Sequence, residues 1–262
     1  MRPRNVPPTG PRYWTALCIA SVFGANLGDF VSHDLHLGHD RGLAPLALIF
    51  ILAIYAETRF AKTRPSSGNE AFYWIAIVTL RTAATNLGDL ATHDFKLPAL
   101  WVVIALAVVL ALLLSAAGRR AGARTSADTA RASGVPNTDG LYWAAMLTAG
   151  TLGTVGGDAV SGDLGLGVGP ASLVLCGIVG AALAWRSLPA MAGVAGYWLV
   201  VVAIRTAGTT VGDYLAFRHG IALGLKLSTA ATGIALVLVL LVWRRSRHRG
   251  VEGSSQSALA GS

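Results

Sequence analysis

Apolar residues run along this chain in eight blocks, and the blocks alternate in character. The first of each pair is interrupted by Gly, Thr and Asp, while the second is Val- and Leu-rich and nearly free of charge. The stretch Leu97–Ala117 has 21 residues and no charge, and Ile221–Trp243 holds only Lys226. A helix that crosses the hydrocarbon core takes about 20 apolar residues. The pattern therefore predicts an all-α polytopic membrane protein with eight transmembrane helices.

A repeat organises the blocks. The pairs Tyr13-Trp14, Tyr73-Trp74, Tyr142-Trp143 and Tyr197-Trp198 each open an apolar segment. Fifteen residues after each Trp stands an Asp preceded by Gly: Asp29, Asp89, Asp158 and Asp213. Small residues recur at i and i+4 as Gly24/Gly28, Ala84/Gly88, Gly153/Gly157 and Gly208/Gly212. The reading is four helical hairpins over 13–60, 72–117, 141–187 and 196–243, forming one membrane domain within 1–243. Two helices per hairpin give each repeat the same orientation, so the symmetry is parallel, about an axis along the membrane normal. A polar stretch, 118–140, reads as a cytoplasmic linker between halves, and 244–262 as a basic, then polar, flexible cytoplasmic tail.

Composition agrees with this class. Hydrophobic residues make up 53% and charged residues 13%, about half the charge of soluble proteins. A soluble enzyme, a disordered chain and a disulfide scaffold are excluded for the chain as a whole. The net charge of +8 does not point to nucleic acid, because the bases are sorted by loop. Fifteen Lys and Arg fall on one side of the predicted topology and four (Arg41, Lys96, Arg218, Lys226) on the other. The positive-inside rule then places both termini in the cytoplasm, where the basic segments meet anionic headgroups. Cys18 and Cys176 lie in apolar segments and read as small hydrophobes.

On the Trp14, Trp74, Trp143 and Trp198 series and its Gly-Asp partners, the chain resembles a family of bacterial integral membrane proteins. Those proteins are built from four tandem copies of a "repeat of unknown function", each with two transmembrane regions and a hallmark Trp. The resemblance covers 13–243. It implies the fold, with pseudo-fourfold (2+2) symmetry, and a place in the bacterial cytoplasmic membrane. It assigns no functional residues.

The repeated positions supply the candidate chemistry. Trp and Tyr favour the membrane interface, so the four Trp are expected as interface anchors. The small pairs let backbones approach closely and should draw the first helices of the hairpins together, with the second helices outside against lipid. Asp29, Asp89, Asp158 and Asp213 are then candidates for a carboxylate ring that binds cations or protons. The alternative is that they cap helices or begin outer loops. Arg81 and Arg205 stand seven residues after their Trp in repeats two and four, and an intramembrane Arg is a functional-site hypothesis by default. Four Asp and two Arg leave that interior formally at −2. Asp34, Asp94 and Asp163 follow five residues after the first Asp, and His33 and His93 four after it. Mixed Asp and His donors suit proton relay or transition metals, and His36 and His39 extend the first outer loop. The hydroxyls of Thr82, Thr85, Thr154, Thr206, Thr209 and Thr210 add oxygen donors, or bond to i−4 carbonyls.

Three function classes follow. The first is a secondary transporter or ion pathway for a small cation, proton or solute; no phosphate loop ending in Lys-Ser or Lys-Thr accompanies it. The second is a non-transporting interaction or structural protein in which Gly-Asp motifs pack and cap. An enzyme is the weakest reading, since neither H-E-x-x-H nor G-x-S-x-G occurs. No cofactor is expected beyond a bound cation, and the sequence sets no oligomeric state.

Overall fold

The computed structural model describes residues 7–60, 69–122, 136, 138–188, 193–217 and 220–259, and among these it is all-helical. The linker expected at 118–140 and Arg218 fall largely or wholly outside the described residues. Eight long helices follow in order: α1 (Pro11–Asp29), α2 (Leu43–Phe60), α3 (Asn69–Asp89), α4 (Ala99–Gly122), α5 (Gly140–Asp158), α6 (Val168–Arg186), α7 (Val194–Ala216) and α8 (Leu225–Leu259). Their starts carry ordinary signals. Pro11 opens α1, where a missing N–H costs nothing. Asp139 caps α5 by accepting the Tyr142 N–H at 3.0 Å.

Six of the eight, all but α3 and α5, are long and apolar enough to cross a membrane. The two exceptions are of similar length, 21 and 19 residues. Their apolarity is diluted by residues that face protein. Arg81, Thr82, Thr85 and Asn86 of α3 are all buried, as are Gly150, Thr151, Gly153 and Thr154 of α5.

The odd helices form the centre. Each of α1, α3, α5 and α7 packs on the next, and α7 returns to α1, closing a four-membered ring. The glycines explain the closeness. A Cβ on Gly28 would lie 2.7 Å from Thr85 Cβ of α3, and one on Gly88 2.9 Å from Thr154 Cγ2 of α5. A Cβ on Gly153 would lie 2.5 Å from Arg205 Cβ of α7, and one on Gly212 2.5 Å from Asn26 Oδ1 of α1. Gly24 meets Arg81, Ala84 is met by Gly150, Gly157 meets Thr209, and Gly208 meets Ser21. Every small pair thus faces the following helix in the same sense around the ring.

The even helices sit outside, but not where a hairpin would put them. α2 packs on α3, α4 on α5, α6 on α7, and α8 on α1. Each repeat's second helix therefore covers the first helix of the next repeat. Their outward faces are lipid-like, with Leu112, Leu173, Ile51 and Val242 all exposed.

The Trp residues expected as interface anchors are covered by protein. Trp14, Trp74, Trp143 and Trp198 are 3–9% exposed, because each ring is sandwiched between its own Tyr and that of the preceding inner helix. Exposed aromatics near the ends of outer helices are Tyr55, Trp185 and Trp101. Arg59 donates from Nε to the Tyr55 hydroxyl at 3.0 Å.

Gly153→Ala forces its methyl against Arg205 backbone and should cost about 1–3 kcal/mol. Gly177→Ala adds a methyl with nothing within 4 Å and should leave thermal unfolding in detergent unchanged or slightly raised. Equal midpoints for the two variants would contradict the packing described.

Candidate functional site: a layered axis between the inner helices

Positions four residues apart on a helix form a row inclined to its axis, and one such row runs along each inner helix from the Tyr level to the Asp level. The row begins with Tyr13, Tyr73, Tyr142 and Tyr197. It continues through Leu17, Ile77, Met146 and Val201, then Ser21, Arg81, Gly150 and Arg205. Ala25, Thr85, Thr154 and Thr209 follow, and the four Asp end it. Sixteen residues separate the Tyr and Asp ends, about 24 Å at 1.5 Å per residue.

At the Tyr end, the four hydroxyls close a ring: Tyr13 to Tyr73 at 2.9 Å, Tyr73 to Tyr142 at 2.7 Å, Tyr142 to Tyr197 at 3.0 Å and Tyr197 to Tyr13 at 2.7 Å. Each hydroxyl can donate once and accept once within such a ring, so the polar end of every buried Tyr is satisfied. The next layer is apolar and fully enclosed. The axis is therefore shut at this end.

Arg81 occupies the middle. Its Nε donates to the Ser21 carbonyl at 3.3 Å, and Nη1 to the Gly150 carbonyl at 3.1 Å and Thr154 Oγ1 at 2.7 Å. Its Nη2 donates to the Arg205 carbonyl at 3.3 Å and Thr209 Oγ1 at 2.6 Å. One side chain thus joins its own helix to all three other inner helices. The accepting hydroxyls also bond to carbonyls of their own helix, Thr154 to Gly150 and Thr209 to Arg205, each at 3.4 Å. Thr82, Thr85 and Thr206 bond likewise to Val78, Arg81 and Val202, and Thr210 to Ala207. These hydroxyls serve both uses that the sequence allowed.

Arg205 turns the other way. Its Nη2 donates to Met146 Sδ at 3.3 Å, while Nε and Nη1 meet no hydrogen-bond partner. It lies within electrostatic range of all four Tyr hydroxyls. The two arginines therefore divide the axis, Arg81 serving the Asp end and Arg205 the Tyr end.

At the Asp end, Asp29, Asp89, Asp158 and Asp213 come together. Every pair among the four lies within electrostatic range, and Arg81 is within range of each. Asp89 is buried and the other three are half-buried. They are not helix ends in repeats one to three. The helix runs through the Asp and widens into a π-helical turn: Phe30–Asp34, Leu90–Asp94 and Ala159–Asp163. Its marker is an N–H to C=O bond five residues back, from Leu35 to Phe30 at 3.0 Å, and from Phe95 to Leu90 and Leu164 to Ala159 at 2.9 Å. A left-handed residue follows, namely His36 (φ 54°), Lys96 (φ 53°) or Gly165 (φ 69°). Repeat four shows no π turn among its described residues, and α7 ends at Ala216 with Phe217 extended.

Among the secondary candidates, Asp34 is half-buried, and His33, His93, Asp94 and Asp163 are exposed. His33 and His93 do not act as isolated pairs with their own Asp. The short helix Gly38–Arg41 brings His39 between them, with ring centroids 5.5 Å from His33 and 6.5 Å from His93. Among the described residues, no three His, Cys, Asp or Glu side chains converge as a metal shell.

Residues 141–190 and 196–249 match the family described as Repeat of Unknown Function (DUF347). Both matched stretches lie in the second half of the chain. No curated protein and no solved structure matches the chain. The two DUF347 copies coincide with the third and fourth repeats, and so with α5 to α8 and half of the Asp and Tyr rings.

Tyr142→Phe opens the hydroxyl ring and should cost about 1 kcal/mol, with closely similar values for the other three Tyr→Phe changes because the ring is closed. Arg81→Met removes the cation facing the four carboxylates. Its destabilisation should be partly reversed by adding Asp29→Asn, with a coupling of about 0.5–3 kcal/mol in a double-mutant cycle. Additive effects would mean that the guanidinium and the ring do not interact.

Proposed function

We propose that this multi-pass membrane protein is a secondary transporter or ion pathway whose working site is the Asp29–Asp89–Asp158–Asp213 ring, with the proton as the exchanged ion. All eight long helices cross the membrane in this reading, α3 and α5 shielded from lipid by the rest. The Tyr end faces the cytoplasm, consistent with Arg12, Arg59, Arg119, Arg120 and Arg186 at that end. The membrane is the bacterial cytoplasmic membrane.

The observation that carries the reading is that one carboxylate from each inner helix lies within the field of the other three, at the end of the axis away from the Tyr ring. Ionisable groups inside a membrane are costly and mark ion and proton routes. Four carboxylates within each other's field repel one another, and a proton or cation entering the ring relieves the repulsion. Three features favour the proton. No metal shell converges among the described residues. Arg81 sits directly in line, where its charge opposes a second cation. Thr154 and Thr209, which accept from Arg81, offer hydroxyls along which a proton can be passed. Gating at the Tyr end is then required for anything to reach the cytoplasm.

The second reading, a static membrane scaffold, draws on the five hydrogen bonds of Arg81 and the closed Tyr ring. Both bind the inner helices together whether or not an ion moves.

Purified protein in liposomes with an internal pH dye decides between them. A pH gradient, then Na⁺, K⁺, Mg²⁺, Mn²⁺ or Zn²⁺ gradients, should reveal a proton flux that falls to background in folded Asp213→Asn. Flux of a metal cation without proton movement would replace the proton by that cation. No flux in wild type, with Asn variants altered only in stability, would leave the scaffold.

A further inference from the structure

Asp89 differs from the other three ring members in two ways. It is the one classed as buried, and each of its carboxylate oxygens faces an imidazole. Oδ2 is 4.0 Å from His39 Nε2, and Oδ1 is 3.7 Å from His93 Nδ1. The other nitrogen of His39, Nδ1, lies 3.1 Å from Oδ2 of Asp94. Asp94 is 43% exposed at its side chain, Asp89 only 10%. His39 therefore stands between a wet carboxylate and a buried one, with one nitrogen towards each. Its Nε2 is buried and has no hydrogen-bond partner. His93 is 64% exposed at its side chain and provides a shorter path from the same Asp to solvent.

We infer that Asp89 is the port through which the carboxylate ring exchanges protons with the solution at the Asp end, and that His39 and His93 are its two relay arms. This rests on the proposal that the ring exchanges protons. With Nδ1–H donating to Asp94, the bare Nε2 lone pair points to Asp89. A closing movement of about 1 Å brings that pair to hydrogen-bond distance. A protonated Asp89 then gives its proton to Nε2, while Nδ1 gives its own to the Asp94 carboxylate, which releases it to solution. One proton leaves Asp89 and one leaves the protein, and the imidazole ends neutral with the proton on Nε2. Inward transfer starts from that tautomer and runs the same steps in reverse.

Imidazole suits this use because it changes charge near neutral pH. The charged and titratable groups around His39 are Asp89 at the end of α3, His93 and Asp94 in the π turn after it, His33 from the π turn after α1, and Asp40 and Arg41 on its own short helix. The relay belongs to the first half of the chain: repeat three has Gly162, and repeat four Phe217, where His33 and His93 stand.

The test uses full-length protein in liposomes with an internal pH dye. The variants are Asp213→Asn, His39→Ala, His93→Ala and the double His39→Ala/His93→Ala, each checked for folding by gel filtration and thermal unfolding. The expected result is proton flux in wild type, none in Asp213→Asn, and flux slowed about tenfold or more in the double variant. Each single variant should be slowed less, and external imidazole should restore the double variant but not Asp213→Asn. A double variant with wild-type flux, or slow flux that imidazole does not restore, overturns the relay while the ring stands. Wild-type flux undiminished in Asp213→Asn, or no flux in wild type, overturns the ring reading and the relay with it.

Discussion

Gly28, Gly88, Gly153 and Gly212 hold nothing between their backbones and the following inner helix, and a single methyl at any of them would overlap a neighbour. Inside a bilayer, apolar contact between helices gains little over contact with lipid, so such close approach carries much of the association. Its consequences run the length of the axis. Four phenol rings come near enough for their hydroxyls to touch. One guanidinium reaches three other helices at once. Four carboxylates enter each other's field. Wider spacing would undo all three together, since they depend on the same separation of helix axes.

Lipid offers no hydrogen bonds, so a polar interior must satisfy itself. Around Arg81 and in the Tyr ring this chain does so by pairing polar groups with one another and with helix carbonyls, and it places the apolar helices outside. That division explains why α3 and α5 do not read as membrane spans when taken singly. Their surroundings are protein, and their sequences are those of a polar interior. Each is covered by the outer helix of the preceding repeat, which supplies the apolar surface the inner helix lacks.

Much of this was legible because the repeat keeps a fixed register. Gly24/Gly28 and its counterparts announced close packing, and Asp29, Asp89, Asp158 and Asp213 announced a common level. The ring of Tyr hydroxyls was not legible, because each Tyr stood in the sequence only as the neighbour of a Trp. The positions that link the two levels form a slanting i+4 row from each Tyr to its Asp, and a row that winds round the helix does not stand out as one face. The partner of each outer helix was not legible, because a hairpin spacing does not say whether the second helix folds back on the first or crosses to a neighbour. His39 was hidden for a different reason. It lies in no repeated position, and the left-handed His36 and the short helix after it must turn the chain before the ring comes between Asp89 and Asp94. The π turns were equally silent, since nothing in Phe30–Asp34 or Ala159–Asp163 departs from ordinary helical sequence.

The four units of the ring are joined in one polypeptide, and this has a bearing on the cation at its centre. An assembly of identical chains would carry the same residue at every equivalent position, so an arginine at the level of Arg81 would appear four times on a narrow axis. Two identical half-length chains would place two there. The single chain instead sets Ser21, Arg81, Gly150 and Arg205 at one level and lets the two guanidinium groups point to opposite ends. Covalent fusion thus permits a polarity that rotational symmetry forbids: one charge can face all four acids, with a serine and a glycine on the flanking helices leaving it room.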